Sequence, residues 1–212
     1  MDIFERIDSA KVLPVAVIDD ASKAVPLVDA LARGGITAIE VTFRTDAAAE
    51  AIRRIRSERP DILVGAGTVL NSEQAQSAAD AGAQFLVAPG LNPDTVRASA
   101  ALRLPFIPGV LTPSEVERAM SLGLARVKFF PAEAGGGVAM LKAMSSPYRS
   151  MKFMPTGGIN AKNLLDYLAL DCVFACGLSS VCERSLIDDG AFDDIERRAK
   201  QITSALELLN RR

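Results

Sequence analysis

The chain alternates between short apolar runs, rich in β-branched residues, and longer amphipathic stretches. Eight apolar runs recur about every 20 to 26 residues, at 12–18, 38–43, 62–69, 85–90, 105–110, 126–132, 152–159 and 172–177. Six amphipathic stretches begin near a side chain suited to capping a helix: Ser22, Asp46, Asn71, Asn92, Thr112 and Asn160. A strand followed by a helix, repeated eight times in 212 residues, predicts an α/β fold of the TIM-barrel type, (β/α)8.

The ends of the chain complete this prediction. Residues 1–9 are expected to form a short helix at the bottom of the barrel, and residues 191–210 a final amphipathic helix. No linker or low-complexity segment interrupts the pattern, so residues 1–212 are expected to form one domain. The alternative is a doubly wound open sheet, but the first predicted strand ends in AVIDD, without the glycine-rich turn often found there.

Composition narrows the possible chemistry. The hydrophobic fraction is 49% and the net charge is −2, with acidic and basic residues interleaved, so neither disorder nor nucleic-acid binding is expected. No apolar run reaches the roughly 18 residues of a membrane span. The start, MDIFERIDSA, lacks the features of a secretory signal, which favours a cytoplasmic enzyme. The absence of histidine excludes a Ser-His-Asp triad and histidine-ligated metals.

The three cysteines, Cys172, Cys176 and Cys182, cluster late in the chain. They are too few and too loosely spaced for a thiolate metal site when no histidine can complete it. We therefore interpret them as small buried residues in a reducing compartment and expect no metal.

Two ionisable residues lie inside predicted strands. Lys128 lies within RVKFFPA and Glu40 within AIEVTF, where an unpaired charge is costly. A buried lysine that releases its proton is a good nucleophile toward a carbonyl group, and a nearby carboxylate is a general base. Two explanations without chemistry stay open: a structural ion pair, or a Lys128 side chain that points out of the barrel.

Other polar residues at strand ends suit an anionic ligand. Arg44 can bind a carboxylate bidentately, and Thr68 can donate a hydrogen bond to the same group. The turns after the seventh and eighth strands carry glycine and serine: Gly157, Gly158, Gly177, Ser179 and Ser180. In TIM barrels these two loops often bind phosphate through backbone N–H groups.

Six motifs together are similar to one enzyme family. EVTFRT (40–45), GAGTVL (65–70), APGL (88–91), IPGV (107–110), KFFPAE (128–133) and PTGGI (155–159) resemble the 2-keto-3-deoxy-6-phosphogluconate (KDPG) aldolases. The motifs occur in the family's order over nearly the whole chain, and KFFPAE followed by PTGGI is the most specific combination.

The resemblance implies a class I aldolase of the Entner–Doudoroff type, usually a homotrimer, with no metal and no cofactor. Such enzymes cleave 2-dehydro-3-deoxy-6-phosphogluconate to pyruvate and D-glyceraldehyde 3-phosphate. By position, Lys128 matches the Schiff-base lysine and Glu40 the general acid/base. The other matches are Arg44 and Thr68 at the pyruvyl carboxylate, Pro89 and Phe130 in the pocket lining, and Gly157, Gly158 and Ser179 at the phosphate.

One turn departs from the family pattern. Where the family has Gly-Gly-Ser-Trp, this chain has Gly177, Leu178, Ser179 and Ser180. Leu178 is expected to add bulk where a backbone N–H would approach phosphate, and Ser180 could share that contact.

Several alternative functions remain open at this point. The same chemistry on 2-dehydro-3-deoxy-6-phosphogalactonate or 4-hydroxy-2-oxoglutarate is the nearest. A phosphosugar isomerase or epimerase, a pyridoxal-phosphate protein that uses Lys128, and a non-catalytic sugar-phosphate binding protein are more distant.

Overall fold

Strands and helices alternate along the computed structural model, which describes residues 2–209. The strands are β1 (Val12–Ala16), β2 (Ala38–Thr42), β3 (Leu63–Gly67), β4 (Leu86–Val87), β5 (Phe106–Ile107), β6 (Gly109–Val110), β7 (Arg126–Phe129), β8 (Lys152–Pro155) and β9 (Cys176–Leu178). The helices are α1 (Ile3–Ala10), α2 (Ala24–Arg33), α3 (Ala48–Glu58), α4 (Ser72–Asp80), α5 (Pro93–Ala101), α6 (Pro113–Ser121), α7 (Gly137–Ser145), α8 (Leu164–Leu168), α9 (Arg184–Asp188) and α10 (Phe192–Leu209). Residues 1 and 210–212, which the predicted terminal helices and domain include, lie outside the described residues.

The strands pair in parallel and form a curled sheet. One ladder has the order β5-β4-β3-β2-β1-β9 and the other β6-β7-β8. Two isolated bridges link the second ladder to the β9 end of the first. One joins Phe153 of β8 to Val173, and the other joins Thr156, just after β8, to Gly177 of β9. Neighbouring strands from β1 to β5 are consecutive in sequence, which is the order of a singly wound sheet and not of the doubly wound alternative.

The two ladders do not join into a continuous hydrogen-bonded ring. The predicted α/β fold with parallel strands is therefore confirmed as a curled sheet, but the closed eight-stranded barrel is not. The interruption lies in the fifth predicted strand, which Pro108 divides into β5 and β6. Proline has no N–H to donate to a ladder, and it is therefore found where strand pairing changes. As a result β5 pairs with β4, whereas β6 pairs with β7.

The concave side of the sheet holds its own apolar cluster, which we call the inner cluster. It consists of Ile7, Leu13, Ala38, Leu63, Phe85, Val87, Ile107, Met154, Phe174 and Ala175. A larger cluster, which includes Ile39, Val41, Val127 and Phe129, fills the space between strands and helices. Because side chains alternate along a strand, Glu40 shares the inner side with Ala38, and Lys128 lies opposite Val127 and Phe129. The hypothesis that the Lys128 side chain points out of the barrel is therefore wrong.

Helix α1 fills the end of the sheet where the strands begin, as predicted. Asp2 and Glu5 form a capping box at its start, and Ile7 belongs to the inner cluster. Arg126, the first residue of β7, has its guanidinium carbon 4.5 Å from the centroid of the Phe4 ring and 5.8 Å from that of Phe174. Apolar and aromatic groups thus close the N-terminal side of the interior.

Half of the predicted helix caps are confirmed. Asn71, Asn92 and Thr112 accept hydrogen bonds at the starts of α4, α5 and α6. Ser22, Asp46 and Asn160 do not cap the nearby helices: α2, α3 and α8 begin after Lys23, Ala47 and Asn163, none of which makes a side-chain cap hydrogen bond. Asp20 and Asn160 instead accept from the backbone N–H groups of Ser22 and Lys162, two residues further on, before the helix starts.

Cys176 and Cys182 are buried, and Cys172 is partly buried; all three are free thiols. Burial raises the pKa of the Cys176 and Cys182 thiols, which keeps them protonated and unreactive. Among residues 2–209, no group of three or more Cys, Asp and Glu side chains is placed to hold a metal ion.

Helix α10 closes the chain and packs against α2, where Arg33 Nε lies 2.6 Å from Glu196 Oε2. This confirms the helix expected near the C-terminus up to Leu209. Within the part of the chain that the structure describes, no helix has both the length and the apolar character needed to cross a membrane.

Candidate active site

Lys128 and Glu40 meet inside the curled sheet. Lys128 Nζ lies 3.3 Å from Glu40 Oε1, and the two side chains are only 6% and 1% exposed. The second carboxylate oxygen, Glu40 Oε2, is buried and has no hydrogen-bond partner among the described residues. An amine and a carboxylate are therefore held together away from solvent, and one carboxylate oxygen remains available to a reacting group.

Glycine at position 67 makes room for Glu40, and sequence reasoning missed its role. A Cβ at Gly67 would lie 2.1 Å from Glu40 Oε1 and 2.5 Å from Glu40 Cγ. No side chain fits there unless the carboxylate moves. The available signal was the pair Gly65 and Gly67 in one apolar strand, since glycine inside a strand often marks a close approach of another group.

Phe130 lies close to Lys128, and Pro89 lies against the neighbouring strand. Lys128 Nζ is 5.4 Å from the centroid of the Phe130 ring, within the range of a cation–π contact. Gly109 is the partner of Lys128 in the β6–β7 register. The Pro89 backbone packs directly on Gly109, since a Cβ at Gly109 would lie 1.9 Å from the Pro89 carbonyl oxygen. A Cβ at Gly157 would lie 3.5 Å from the Phe130 ring, so the ring connects the lysine to the turn after β8.

Arg44 and Thr68 form a separate pair where β2 and β3 end. Arg44 Nε donates to Thr68 Oγ1 at 3.2 Å, and Arg44 is exposed. Thr68 has a φ of +57°, which is rare and strained for a β-branched residue. Within residues 2–209 no hydrogen bond joins this pair to Lys128 or Glu40. Thr68 nevertheless directly follows Gly67, so the pair lies beside Glu40 at the mouth of the site.

The turns after β8 and β9 expose backbone donors. Gly157 and Gly158 have φ values of +105° and +80°, a conformation that favours glycine. No acceptor among the described residues takes the backbone N–H of Gly157, Gly158, Ser179 or Ser180. Successive free N–H groups of this kind suit an anion.

The departure at Leu178 does not crowd this turn. Leu178 is completely buried in the larger apolar cluster, opposite Pro14 in the β1–β9 register, whereas Ser179 is exposed. The hydroxyl of Ser180 donates to Ile159 O at 3.1 Å and is thus already engaged. The added side chain points into the core, away from the exposed side of the turn.

The sequence as a whole matches a known family. The family model described as KDPG and KHG aldolase covers residues 3–198. The chain belongs to this aldolase family. A 2-dehydro-3-deoxy-phosphogluconate aldolase of Treponema pallidum is 48% identical over 199 residues, which are 94% of this chain and 95% of that protein. One from Haemophilus influenzae is 45% identical over 205 residues, 97% of each chain.

A solved relative has the same fold, and its structure holds an informative ligand. The KDPG aldolase of Legionella pneumophila superposes with a TM-score of 0.90 at 38% identity, covering 94% of this chain and 97% of that one. Its structure holds pyruvate captured at low pH as a covalent carbinolamine intermediate. Membership of the family confirms the resemblance seen in the motifs and, with it, the prediction of a carbon–carbon lyase.

Replacing Gly67 by alanine should impair catalysis out of proportion to stability. The added methyl group must displace Glu40, and small misplacements of a reacting group cost about 100-fold in rate. Gly65→Ala is the matched control, because the three atoms nearest to its Cβ all belong to Phe85. Both variants should lower the melting temperature, but Gly67→Ala should lose far more kcat. Equal kcat in the two variants would contradict a role for Gly67 in placing Glu40.

Proposed function

We propose that this chain is a class I aldolase that cleaves 2-dehydro-3-deoxy-6-phosphogluconate through a Schiff base on Lys128. The observation that carries the proposal is the buried contact of 3.3 Å between Lys128 Nζ and Glu40 Oε1, with Glu40 Oε2 unpartnered among the described residues. The covalent pyruvate adduct of the Legionella pneumophila relative supports the same chemistry.

The first half of the reaction forms the iminium. Glu40 accepts a proton from the Lys128 ammonium group, and the neutral amine attacks the C2 carbonyl carbon of the substrate. Glu40 returns this proton to the oxygen of the resulting carbinolamine, which loses water; a C2 iminium on Lys128 remains, and Glu40 is again ionised.

The second half breaks the C3–C4 bond. Glu40 removes the proton of the C4 hydroxyl group as a C4 carbonyl forms, and the bonding electrons move to the iminium nitrogen. D-glyceraldehyde 3-phosphate leaves, and an enamine remains. Protonation at C3 and hydrolysis then release pyruvate and restore the Lys128 amine. The iminium serves as the electron sink, so the proposed steps use only side chains and water.

The other matched residues are proposed to bind the substrate. Arg44 and Thr68 would hold the carboxylate, as their mutual hydrogen bond at the mouth of the site supports. Pro89 and Phe130 would line the pyruvyl pocket. The substrate phosphate would bind to free backbone N–H groups in the two glycine turns, at Gly157, Gly158 and Ser179.

Pyruvate-dependent borohydride reduction tests the covalent step. Treatment with both reagents should add one reduced pyruvyl group to the protein mass, and peptide mapping should place it on Lys128. Borohydride without pyruvate should add nothing. Turnover without a trappable adduct would contradict the Schiff base and favour proton transfer by Glu40 alone, as in an isomerase or epimerase.

A second substrate is favoured by the family, whose description names KHG as well as KDPG aldolases. 4-Hydroxy-2-oxoglutarate would use the same lysine, but its second carboxylate is C5, so it would end short of the position of the phosphate on C6. We expect kcat/KM to be highest for 2-dehydro-3-deoxy-6-phosphogluconate among this compound, its galactonate epimer and 4-hydroxy-2-oxoglutarate. A preference for either of the others would reassign the substrate and leave the Schiff base intact.

Four further proposals concern the whole protein. The two ladders are proposed to form one closed (β/α)8 barrel, with residues 1–212 as a single domain; the bridges between β8 and the β9 region support closure. From the family resemblance we also propose a homotrimer that acts in the cytoplasm. Light scattering coupled to size-exclusion chromatography measures the subunit number directly.

A further inference from the structure

Tyr167 is a buried tyrosine to which the proposed reaction assigns no role. It lies in α8, is 0% exposed, and donates a hydrogen bond from its hydroxyl group to Glu133 Oε1. Burial, and then the Glu133 contact, raise the pKa of Tyr167, so the hydroxyl group keeps its proton and remains a donor. Glu133 itself is largely exposed and ends the KFFPAE motif that begins at Lys128.

Glu133 is in turn fastened to the Gly157–Gly158 turn. Its backbone N–H donates to Gly157 O at 3.1 Å. Its side-chain stem packs on the next residue, because a Cβ at Gly158 would lie 2.7 Å from Glu133 Cγ. Gly137, at the start of α7, packs on Glu133 and Tyr167 where their side chains meet. A Cβ at Gly137 would lie 3.3 Å from Glu133 Oε1 and 3.6 Å from the Tyr167 hydroxyl oxygen.

Helix α8 reaches the same turn from a second direction. Asn163, directly before α8, donates from Nδ2 to Gly158 O at 3.2 Å, and Asn160 does so at 3.3 Å. The Tyr167 N–H donates to Asn163 O at 3.4 Å, so the two contacts lie one helical turn apart. The turn is therefore held by amide groups on one side and by the Glu133 stem on the other.

We propose that Tyr167 is a positioning residue that acts through Glu133 to shape the Gly157–Gly158 turn and thereby sets the affinity for the phosphate end of the substrate. This rests on the proposed phosphate site. Tyr167 has two effects on that site. It fixes the stem that Gly158 packs against, and it holds a carboxylate that would otherwise be free to rotate beside an anion.

Tyr167→Phe is expected to weaken phosphate recognition selectively. Loss of one net hydrogen bond corresponds to roughly a five- to tenfold effect. We expect KM for 2-dehydro-3-deoxy-6-phosphogluconate, and the inhibition constant of inorganic phosphate, to rise by about this factor. The kcat value and the yield of pyruvate adduct after borohydride reduction should stay within about twofold, because neither Tyr167 nor Glu133 is hydrogen-bonded to Lys128 or Glu40 among the described residues.

The chain offers matched controls. Tyr148 is the other of its two tyrosines and also donates to a carboxylate, Glu117 Oε1 at 3.0 Å, but on the outer surface. Tyr148→Phe should leave the phosphate inhibition constant unchanged. Glu133→Gln keeps an oxygen that accepts from Tyr167 and should keep phosphate affinity, whereas Glu133→Ala removes the stem and should weaken it at least as much as Tyr167→Phe does.

The outcomes separate this inference from the function on which it rests. A Tyr167→Phe protein with a lower melting temperature but an unchanged phosphate inhibition constant would show a purely structural tyrosine and overturn the inference. So would a Glu133→Ala protein with wild-type phosphate affinity. If inorganic phosphate does not compete with substrate in the wild-type protein, the proposed phosphate site fails, and the inference with it. The borohydride test on Lys128 is independent of both.

Discussion

Lys128→Ala is expected to abolish the pyruvate-dependent mass gain on borohydride reduction and to lower kcat by at least about 10⁴-fold. Removal of a covalent nucleophile eliminates the intermediate and not merely a contact, so its effect on rate is among the largest that a single substitution produces. The assay combines intact-protein mass spectrometry with turnover of 2-dehydro-3-deoxy-6-phosphogluconate.

The variant also leaves Glu40 buried without its partner, and breaking a buried ion pair costs about 3 to 5 kcal/mol of stability. Lys128→Met serves as a second variant: it also leaves Glu40 unpaired, but it fills the space of the lysine side chain and avoids the further cost of a cavity. Lys152→Ala is the matched control: Lys152 lies on the neighbouring strand, is exposed, and donates to Asp171 O at 2.8 Å. A mass gain that survives in folded Lys128→Met protein would place the Schiff base elsewhere.

Glu40→Gln is expected to lower kcat by about 10² to 10⁴-fold while the pyruvate adduct still forms on borohydride reduction. The amide keeps the size of the side chain and an oxygen that can accept from Lys128 Nζ. It loses the basic oxygen, Oε2, which has no other partner among the described residues. Proton transfer at C3 and C4 should fail, whereas adduct formation should be slower, because Glu40 also deprotonates Lys128, but still detectable.

Exchange of the pyruvate methyl protons with deuterated water isolates this step. It requires both the enamine and the base, so it should slow with kcat in Glu40→Gln, whereas adduct formation should persist. Exchange and turnover at near wild-type rates would show that another group, or water alone, moves the proton. Glu40 would then be only the structural partner of Lys128.

Much of the fold could be predicted because parallel strands that are buried on both sides are continuous apolar runs. All eight runs overlap a strand in the structure. The division at Pro108 could not be predicted, because it depends on which neighbour each half pairs with. The wrong caps at Ser22, Asp46 and Asn160 have a similar cause: a local capping motif does not reveal whether a helix starts at once or after a turn.

The centre of the site was visible as two charges in apolar strands, since such charges require a partner. That Lys128 and Glu40 are partners, 88 positions apart, is a property of the fold alone. The function of Gly67 was hidden for the same reason. Tyr167 lies 34 positions from Glu133 and in the sequence is simply an apolar position of a helix.

The closure of the sheet by α1, Phe4 and the inner cluster has a consequence for the passage of reactants. Because apolar groups fill the space at the strand beginnings, the reactants of the proposed reaction would enter and leave on the side where Arg44, Thr68 and the glycine turns lie. In the proposed mechanism pyruvate is the half bonded to Lys128, so the aldehyde would lie between it and this opening. We therefore expect the aldehyde to leave first and, in the reverse direction, to bind only after pyruvate.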